Sequence, residues 1–364
     1  MTASATTVRV ELGARSYDIE IGSGNLSSLG AFVAARRKLT HAVVIADAAV
    51  LGFYGPTVTA SLEAVGARVD TFSVPSGEAS KCVAEADRLW NALLAAKTDR
   101  KSVVVALGGG VIGDLAGFIA ASFARGLAFI QVPTTLLAHV DSSVGGKVGV
   151  NLSAAKNIVG AFWQPGGVLI DTETLKTLPV REYRAGLAEV VKYGVILDAP
   201  FFDYLEQHVA QLNARDAAVL RHVIARSCQL KATVVEHDER EETGLRAVLN
   251  YGHTFAHALE TVAGYGEFLH GEAVSVGMMC AARLAASLGR IDAALVERQR
   301  ALLVALGLPV AMPAYDDEKL LAAMQHDKKV EHGSLRFVLP SRLGHVELVA
   351  GIATSKVQEA LRAE

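Results

Sequence analysis

The sequence predicts an α/β N-terminal domain, Rossmann-like with a mostly parallel sheet, followed by a mostly α-helical C-terminal domain. Three observations lead to this fold class. β-branched runs alternate with helical patterns up to about residue 180, a glycine-rich turn follows one of these runs, and helical spacing dominates afterwards. We expect the boundary near Leu178–Arg181, which separates residues 1–179 from residues 180–364.

Four apolar runs of strand length support the parallel sheet: His41–Asp47, Ser102–Leu107, Ala128–Pro133 and Gly167–Asp171. Runs that are apolar throughout are typical of parallel strands that are covered by helices on both faces. The stretch from Val8 to Gly22 alternates between apolar and polar residues instead, and this pattern predicts an antiparallel hairpin.

Apolar residues spaced three or four apart predict the helices of the second domain. These helices are expected at Glu182–Ile196, Asp216–Glu236, Ala247–Ala263, Gly271–Leu288 and Asp292–Leu306. Strand patterns return at Leu335–Pro340 and Val346–Leu348.

Composition narrows the class of protein. The chain has 364 residues, of which 51% are hydrophobic and 20% charged, so it can bury a large core. Its formal net charge of −3 argues against a nucleic-acid groove or a polybasic membrane surface. The three cysteines are far apart, and the N-terminus lacks the apolar core of a signal peptide. We therefore expect a soluble, cytoplasmic protein.

A glycine-rich turn indicates a nucleotide site. Gly108–Asp114 contains G-x-G-x-x-G between an expected strand and a helix expected at Asp114–Ala124. Such a turn brings pyrophosphate to the amides of a helix N-terminus, and a tight turn that needs positive φ is the less favoured alternative. The acidic residue expected about 20 positions later is missing. Asp47 could replace it, with Ser76–Glu78 and Lys81 in the same crevice.

A second glycine-rich string, Gly145–Lys147, resembles part of a phosphate-binding P-loop. Val148 follows it where a P-loop requires Ser or Thr, and this argues against a nucleoside triphosphatase.

Four residues of metal-ligand type indicate a metal site: Glu189, His253, His257 and His270. Glu189 lies in an apolar helix and therefore needs a partner. One carboxylate, two imidazoles and an open fourth position are typical of catalytic zinc. Spacing leaves the three histidines competing for two places, and a histidine pair without metal remains an alternative. Thr254 stands where a zinc protease would have Glu, which argues against that class.

Cationic and amide side chains stand near these motifs, and several of them together favour an anionic substrate over the alternative of ordinary solvated charges. They are Lys147, Lys156, Asn157, Lys192, Lys231, Arg246, Asn250, Lys328 and Lys329.

These motifs together resemble the 3-dehydroquinate synthases, a family of sugar-phosphate cyclases. The likeness covers nearly the whole chain in one order and rests on the strings Gly108–Asp114, Pro133–Leu137, Asp141–Asn151, Lys156–Pro165, Gly186–Gly194, Leu249–His257, His270–Ala273 and Asp327–Lys329. Three residues depart from the family pattern: Ser76 stands for Asp, His139 for Gln and Val148 for Thr.

The resemblance implies a homodimer with NAD and one divalent metal ion, zinc or cobalt. The implied metal ligands are Glu189, His253 and His270, and His257 is left for proton transfer or hydrogen bonding. The implied NAD contacts are Asp47, Glu78, Lys81, Gly109, Gly110, Asp114, Thr134, Thr135, Lys156, Thr174, Thr177, Leu178 and Glu182. The implied substrate contacts are Asp141, Lys147, Asn157, Lys192, Lys231, Arg246, Asn250 and Lys328, with Arg125 reaching the neighbouring subunit's site.

The function that the resemblance implies is a carbon–oxygen lyase reaction on a phosphate, in the shikimate route to chorismate and the aromatic amino acids. The expected substrate is 3-deoxy-D-arabino-heptulosonate 7-phosphate, and the products are 3-dehydroquinate and phosphate. Transient oxidation by NAD, elimination of phosphate, re-reduction and an intramolecular aldol step are expected. A metal- and NAD-dependent polyol dehydrogenase is the alternative enzyme, and an NAD-sensing regulator is the alternative without catalysis.

Overall fold

The structure is a computed structural model that describes residues 5–153, 155–264, 266–325 and 335–362. The chain forms two compact units, each built from two segments. Unit 1 comprises Met1–Leu178 and Leu220–Arg240, and unit 2 comprises Pro179–Val219 and Glu241–Glu364.

Unit 1 contains a seven-stranded sheet in the order β1-β2-β9-β6-β5-β3-β4. Its strands are β1 Thr6–Val10, β2 Tyr17–Gly22, β3 His41–Asp47, β4 Arg68–Val74, β5 Val103–Gly108, β6 Ala128–Pro133 and β9 Gly167–Asp171. β1 and β2 pair antiparallel, and all other pairs of this sheet are parallel. The predicted hairpin and the mostly parallel sheet are therefore confirmed.

Helices cover both faces of this sheet. The helices of unit 1 are α1 Leu29–Ala34, α2 Ala48–Glu63, α3 Val83–Ala95, α4 Gly110–Ser122 and most of α8 Ala217–His237. Along β3, Val44 packs with Val58 and Leu62 of α2, whereas Val43 belongs to a second cluster with Ile119 of α4. Successive strand residues thus enter two cores, and this explains why the run is apolar throughout.

A hairpin outside the main sheet completes the strands of unit 1. β7 Lys147–Leu152 and β8 Ala155–Phe162 pair antiparallel, and the sequence patterns did not predict them.

Unit 2 is mostly helical, as predicted. Besides the small antiparallel sheet of β10 Arg336–Arg342 and β11 His345–Ala350, its elements are α5 Val180–Leu197, α6 Ala199–Gln207, α7 Val209–Asn213, α9 His253–Ala263, α10 His270–Ser287, α11 Ala293–Ala305, α12 Asp317–Gln325 and α13 Thr354–Arg362.

The predicted helix Ala247–Ala263 is wrong in its first part. A short 3₁₀ turn covers Leu245–Asn250, and α9 begins at His253 after Gly252 with φ of +79°. Left-handed backbone interrupts a right-handed helix, so the apolar spacing runs across a break. Among the described residues, no helix is both long and apolar enough to cross a membrane.

Candidate metal and nucleotide sites

Three side chains of unit 2 meet in the arrangement of a metal site. Glu189 is in α5, His253 is the first residue of α9, and His270 is the first residue of α10. Their ligand atoms all lie within 4.8 Å of one another. Glu189 Oε1 is 3.6 Å from His253 Nε2 and 3.8 Å from His270 Nε2. One carboxylate oxygen and two imidazole nitrogens therefore point to a common centre.

The surroundings of Glu189 indicate whether a cation fits this centre. Its side chain is 0% exposed, and neither carboxylate oxygen has a hydrogen-bond partner among the described residues. Lys192, one turn along α5 and 2% exposed, forms an ion pair with Oε2. Since a buried carboxylate is costly unless its oxygens are satisfied, a divalent cation on the Oε1 side fits this site.

The histidine tautomers also fit a metal. His253 Nδ1 lies 3.1 Å from the carbonyl oxygen of Tyr251, so Nδ1–H can donate and Nε2 keeps its lone pair. His270 Nδ1 lies 3.6 Å from Glu260 Oε1. Burial opposes protonation of His270, but Glu260 and Glu189 outweigh it and raise the pKa of this imidazole.

His257 lies beside the triad. Its ring centroid is 5.6 Å from that of His253 and 6.3 Å from that of His270. The ligand set implied by the resemblance, Glu189, His253 and His270, is thus the set that the fold brings together, and metal ligation by these residues remains a prediction.

The glycine turn of unit 1 leads from β5 into α4, which begins at Gly110, four residues earlier than expected. None of Gly108, Gly109 and Gly110 has positive φ, so the alternative based on backbone strain is wrong. The lack of space for a Cβ atom explains the glycines better. A Cβ on Gly109 would lie 2.9 Å from Thr135 Cγ2, and one on Gly110 would lie 3.1 Å from Ser142 Oγ. The bare backbone at a helix N-terminus is a cradle of the kind that accepts phosphate.

A charged cluster stands near the same helix. Lys81, 5% exposed, is 3.1 Å from both Glu78 Oε1 and Asp114 Oδ2. Burial disfavours the charged amine, but the two carboxylates outweigh it and raise the pKa of Lys81. Three residues implied as NAD contacts are therefore joined in one network.

The remaining implied NAD contacts are spread over unit 1 and the start of α5. Asp47 caps α2 and accepts a hydrogen bond from Ser76 Oγ at 2.8 Å, which places these two candidates together. Thr134 is buried, Thr177 Oγ1 lies 2.7 Å from the Tyr54 hydroxyl, and Thr174 Oγ1 donates to the Asp171 carbonyl oxygen at 2.7 Å. Thr135 accepts from the Ala138 amide at 3.1 Å, Lys156 and Leu178 are half-buried, and Glu182 is exposed in the first turn of α5.

The implied substrate contacts fall in several places. In unit 1, Lys231 Nζ donates to Asp141 Oδ1 at 2.6 Å, whereas Lys147, Asn157 and Arg125 are exposed. In unit 2, Arg246 is buried with Nε 3.6 Å from Glu241 Oε1, and Asn250 ends the same 3₁₀ turn. Lys328 and Lys329 lie outside the described residues.

Two residues that the sequence analysis did not single out join these groups. Asn151 Nδ2 donates to Glu78 Oε1 at 2.8 Å, and its Oδ1 accepts from the Asn157 amide at 2.9 Å. It therefore links an implied NAD contact to an implied substrate contact. Glu260 faces His270, and it follows His257 by three residues on one face of α9, which is a spacing signal that could have drawn attention to it.

Comparisons with known proteins cover the whole chain. A family model described as 3-dehydroquinate synthase N-terminal matches residues 71–185, and one described as 3-dehydroquinate synthase C-terminal matches residues 186–330. A 3-dehydroquinate synthase from Rhodopirellula baltica is 54% identical over 100% of this chain and 98% of its own length. One from Citrifermentans bemidjiense is 49% identical over 93% of this chain and 94% of its own.

Solved structures with this fold include two other cyclases. A 2-deoxy-scyllo-inosose synthase in complex with carbaglucose-6-phosphate, NAD⁺ and Co²⁺ has a TM-score of 0.89 at 28% identity, covering 98% of this chain and 99% of its own. A 2-epi-5-epi-valiolone synthase from Streptomyces hygroscopicus with NAD⁺ and Zn²⁺ has a TM-score of 0.87 at 28% identity, covering 99% and 98%. A probable glycerol dehydrogenase from Sinorhizobium meliloti, at 15% identity and a TM-score of 0.64 over 93% of both chains, shares the fold alone.

Proposed function

The chain belongs to the 3-dehydroquinate synthase family, and we propose that it converts 3-deoxy-D-arabino-heptulosonate 7-phosphate to 3-dehydroquinate and inorganic phosphate. The single observation that carries the chemistry is Glu189, a fully buried carboxylate whose Oε1 faces two imidazole nitrogens while Oε2 pairs with Lys192. The reaction is that of a carbon–oxygen lyase acting on a phosphate. We place it in a cytoplasmic homodimer of the shikimate route.

Glu189, His253 and His270 would hold zinc or cobalt. The related cyclases with bound NAD⁺ and Co²⁺ or Zn²⁺ support this assignment. When bound, the metal supplies a Lewis acid that polarises a substrate hydroxyl. Lys192 balances the Glu189 charge on the Oε2 side, so this buried carboxylate has an ion-pair partner on the side away from the imidazoles.

The glycine cradle of Gly109–Gly110 and the Lys81 cluster would bind NAD. When bound, NAD supplies a hydride acceptor that is regenerated in each turnover, so the reaction has no net redox change. Lys81 pairs with both Glu78 and Asp114 in the folded protein, which keeps this polar turn in one arrangement.

The substrate is an anion with a carboxylate and a phosphate, and the remaining candidates suit its two ends. Arg246 offers a guanidinium fork for a carboxylate, and Lys147 offers a point charge for the leaving phosphate. His257, half-buried beside the triad, would hold or move a proton. Arg125, exposed in unit 1, would reach the neighbouring subunit's site.

A phosphate-release assay tests this proposal. The purified protein is given the heptulosonate phosphate with zinc and a catalytic amount of NAD, and inorganic phosphate is followed together with absorbance of NADH. We expect many equivalents of phosphate per NAD and no lasting NADH. Steady NADH production from a polyol without phosphate release would favour the dehydrogenase, and NAD binding without turnover would favour the regulator.

A substitution of Lys147 tests its proposed contact with the phosphate. Lys147→Ala should lower kcat/KM by two or more orders of magnitude, since lost transition-state contacts commonly cost several kcal/mol. Lys101→Ala, which changes another exposed lysine of unit 1, serves as the control and should leave kcat/KM unchanged. A Lys147→Ala enzyme with near-normal turnover would remove Lys147 from the phosphate site.

A further inference from the structure

The two histidines of the triad are held by different partners. His253 Nδ1 has a backbone carbonyl, that of Tyr251, at 3.1 Å. His270 Nδ1 has a carboxylate instead, since Glu260 Oε1 is 3.6 Å away, within ion-pair range. Because an imidazole offers a lone pair at Nε2 only when Nδ1 carries the proton, each outer partner selects the tautomer that can bind metal.

Glu260 is well placed to act on His270. It lies seven residues after His253 on α9, on the face that also carries His257. Its side chain is only 14% exposed, whereas that of His270 is 34% exposed. A mostly buried carboxylate needs a charged or hydrogen-bonding partner, and the His270 imidazole supplies one.

The two rings also differ in how firmly the fold holds them. His253 follows Gly252, whose left-handed backbone starts α9, and its side chain is 11% exposed. His270 begins α10, where the more exposed ring has less packing around it. An outer carboxylate therefore matters more for the orientation of His270 than for that of His253.

We propose that Glu260 is a positioning residue of the metal centre, which holds Nδ1–H of His270 so that Nε2 faces the metal. This rests on the proposed function in requiring a metal at Glu189, His253 and His270. Outer carboxylates of this kind raise the basicity of the ligand nitrogen as well as orienting the ring. Glu260 is not one of the three residues whose ligand atoms converge.

Zinc affinity without substrate or NAD tests the proposal. The full chain is titrated with Zn²⁺ against a chromophoric chelator at pH 7.5, as wild type, Glu260→Gln and Glu260→Ala. Glu260→Ala should bind zinc about 10- to 100-fold more weakly. Glu260→Gln keeps an acceptor oxygen without the charge and should fall between Glu260→Ala and the wild type.

The matched control is Glu206→Gln, which removes a carboxylate of unit 2 that pairs with Arg298. It should bind zinc as the wild type does. Absorption spectra of the Co²⁺-loaded proteins provide a readout that mere destabilisation does not move: the ligand-field bands should shift in the Glu260 variants and stay in place in Glu206→Gln. Circular dichroism with chelator present checks that each variant is folded before loading.

Wild-type zinc affinity and an unshifted cobalt spectrum in a folded Glu260→Ala protein would overturn the role of Glu260 alone. A wild type that binds no zinc would overturn it together with the metal centre. If the wild type binds zinc and the Glu260 variants bind it more weakly, but no phosphate is released from the heptulosonate phosphate, the proposed reaction fails while the role of Glu260 stands.

Discussion

At the scale of single residues, the charges buried in unit 2 govern both stability and chemistry. Glu189 and Lys192 are 0% and 2% exposed, and they face each other one helical turn apart. Burying either charge alone is expensive, whereas the pair can be tolerated. A metal on the other side of Glu189 would add a second compensating charge, so the stability of this region should depend on metal.

Lys192→Met tests that dependence. With chelator present it leaves the Glu189 charge buried without its partner, and we expect a loss of about 3–5 kcal/mol in the free energy of unfolding of unit 2. Saturating zinc should restore part of this loss. Urea unfolding with and without zinc measures both effects.

The control is Lys356→Met, which breaks an exposed pair with Glu359 and should change the unfolding free energy by less than about 0.5 kcal/mol. Equal unfolding curves for Lys192→Met and the wild type in chelator would contradict the argument.

His139 is a residue-scale departure from the family with a consequence for pH. It is 0% exposed, and its Nε2 donates to the Pro133 carbonyl oxygen at 2.9 Å. Burial lowers the pKa of His139 from 6.5 to about 4. As the pH falls below 6.5, His139 becomes protonated in the unfolded chain but stays neutral in the folded chain. The free energy of unfolding therefore decreases with falling pH until the pH reaches about 4.

His139→Gln should remove this loss, since Gln can donate to the same carbonyl without titrating. Between pH 7 and pH 5 the wild type should lose about 2 kcal/mol more unfolding free energy than the variant. Urea unfolding at the two pH values measures the difference, and the exposed-site control His345→Gln should lose as much as the wild type. Parallel losses in His139→Gln and the wild type would show that His139 is protonated in the folded protein.

At the scale of elements, glycines set the spacing of the helices that carry the triad. A Cβ on Gly271 of α10 would lie 1.9 Å from the carbonyl oxygen of Ala185 in α5, and one on Gly277 would lie 2.2 Å from that of Gly252. α5 carries Glu189 and α10 carries His270. The approach of the two helices therefore sets how near these ligands come.

Gly271→Ala should force α10 away from α5. We expect a loss of about 1–3 kcal/mol in unfolding free energy and weaker zinc binding, measured by urea unfolding and chelator competition. Gly52→Ala is the matched control, because a Cβ on Gly52, in α2, would have no neighbouring atom within 4 Å. It should leave zinc binding unchanged and stabilise the protein slightly. Unchanged zinc affinity in Gly271→Ala would show that metal binding does not depend on the close approach of α5 and α10.

The hairpin β7–β8 shows why some elements escaped prediction. Its strands include glycines and charged residues, which are typical of loops. In the fold these glycines allow close approach: a Cβ on Gly160 would lie 2.2 Å from the Val148 carbonyl oxygen. Four of the parallel strands were predictable because burial on both faces requires apolar residues throughout, whereas this hairpin depends on pairing that periodicity does not encode.

At the scale of the whole molecule, metal ligands and glycine cradle belong to different units. Glu189, His253 and His270 are in unit 2, whereas Gly109, Gly110 and Lys81 are in unit 1. A ligand that binds the folded state stabilises the unit that holds it. Zinc and NAD should therefore protect different parts of the chain.

Hydrogen exchange followed by mass spectrometry checks this expectation. Zinc alone should slow amide exchange in α5, α9 and α10, and NAD alone should slow it around α4 and Lys81. His253→Ala should abolish the effect of zinc and retain that of NAD, and this variant serves as the control. Protection of α4 by zinc alone would contradict the assignment of separate sites.

The sequence by itself determined four of the parallel strands, the hairpin of β1 and β2, the helices α5, α10 and α11 and the residue types of a metal site, because each depends on local periodicity or side-chain chemistry. Family resemblance selected His253 and His270 over His257. Only the tertiary structure decided that Glu189 meets these two rings, that α9 begins at His253, and that Glu260 stands behind His270. Those contacts join segments of the chain that are distant in sequence, and the packing of α5, α9 and α10 determines them.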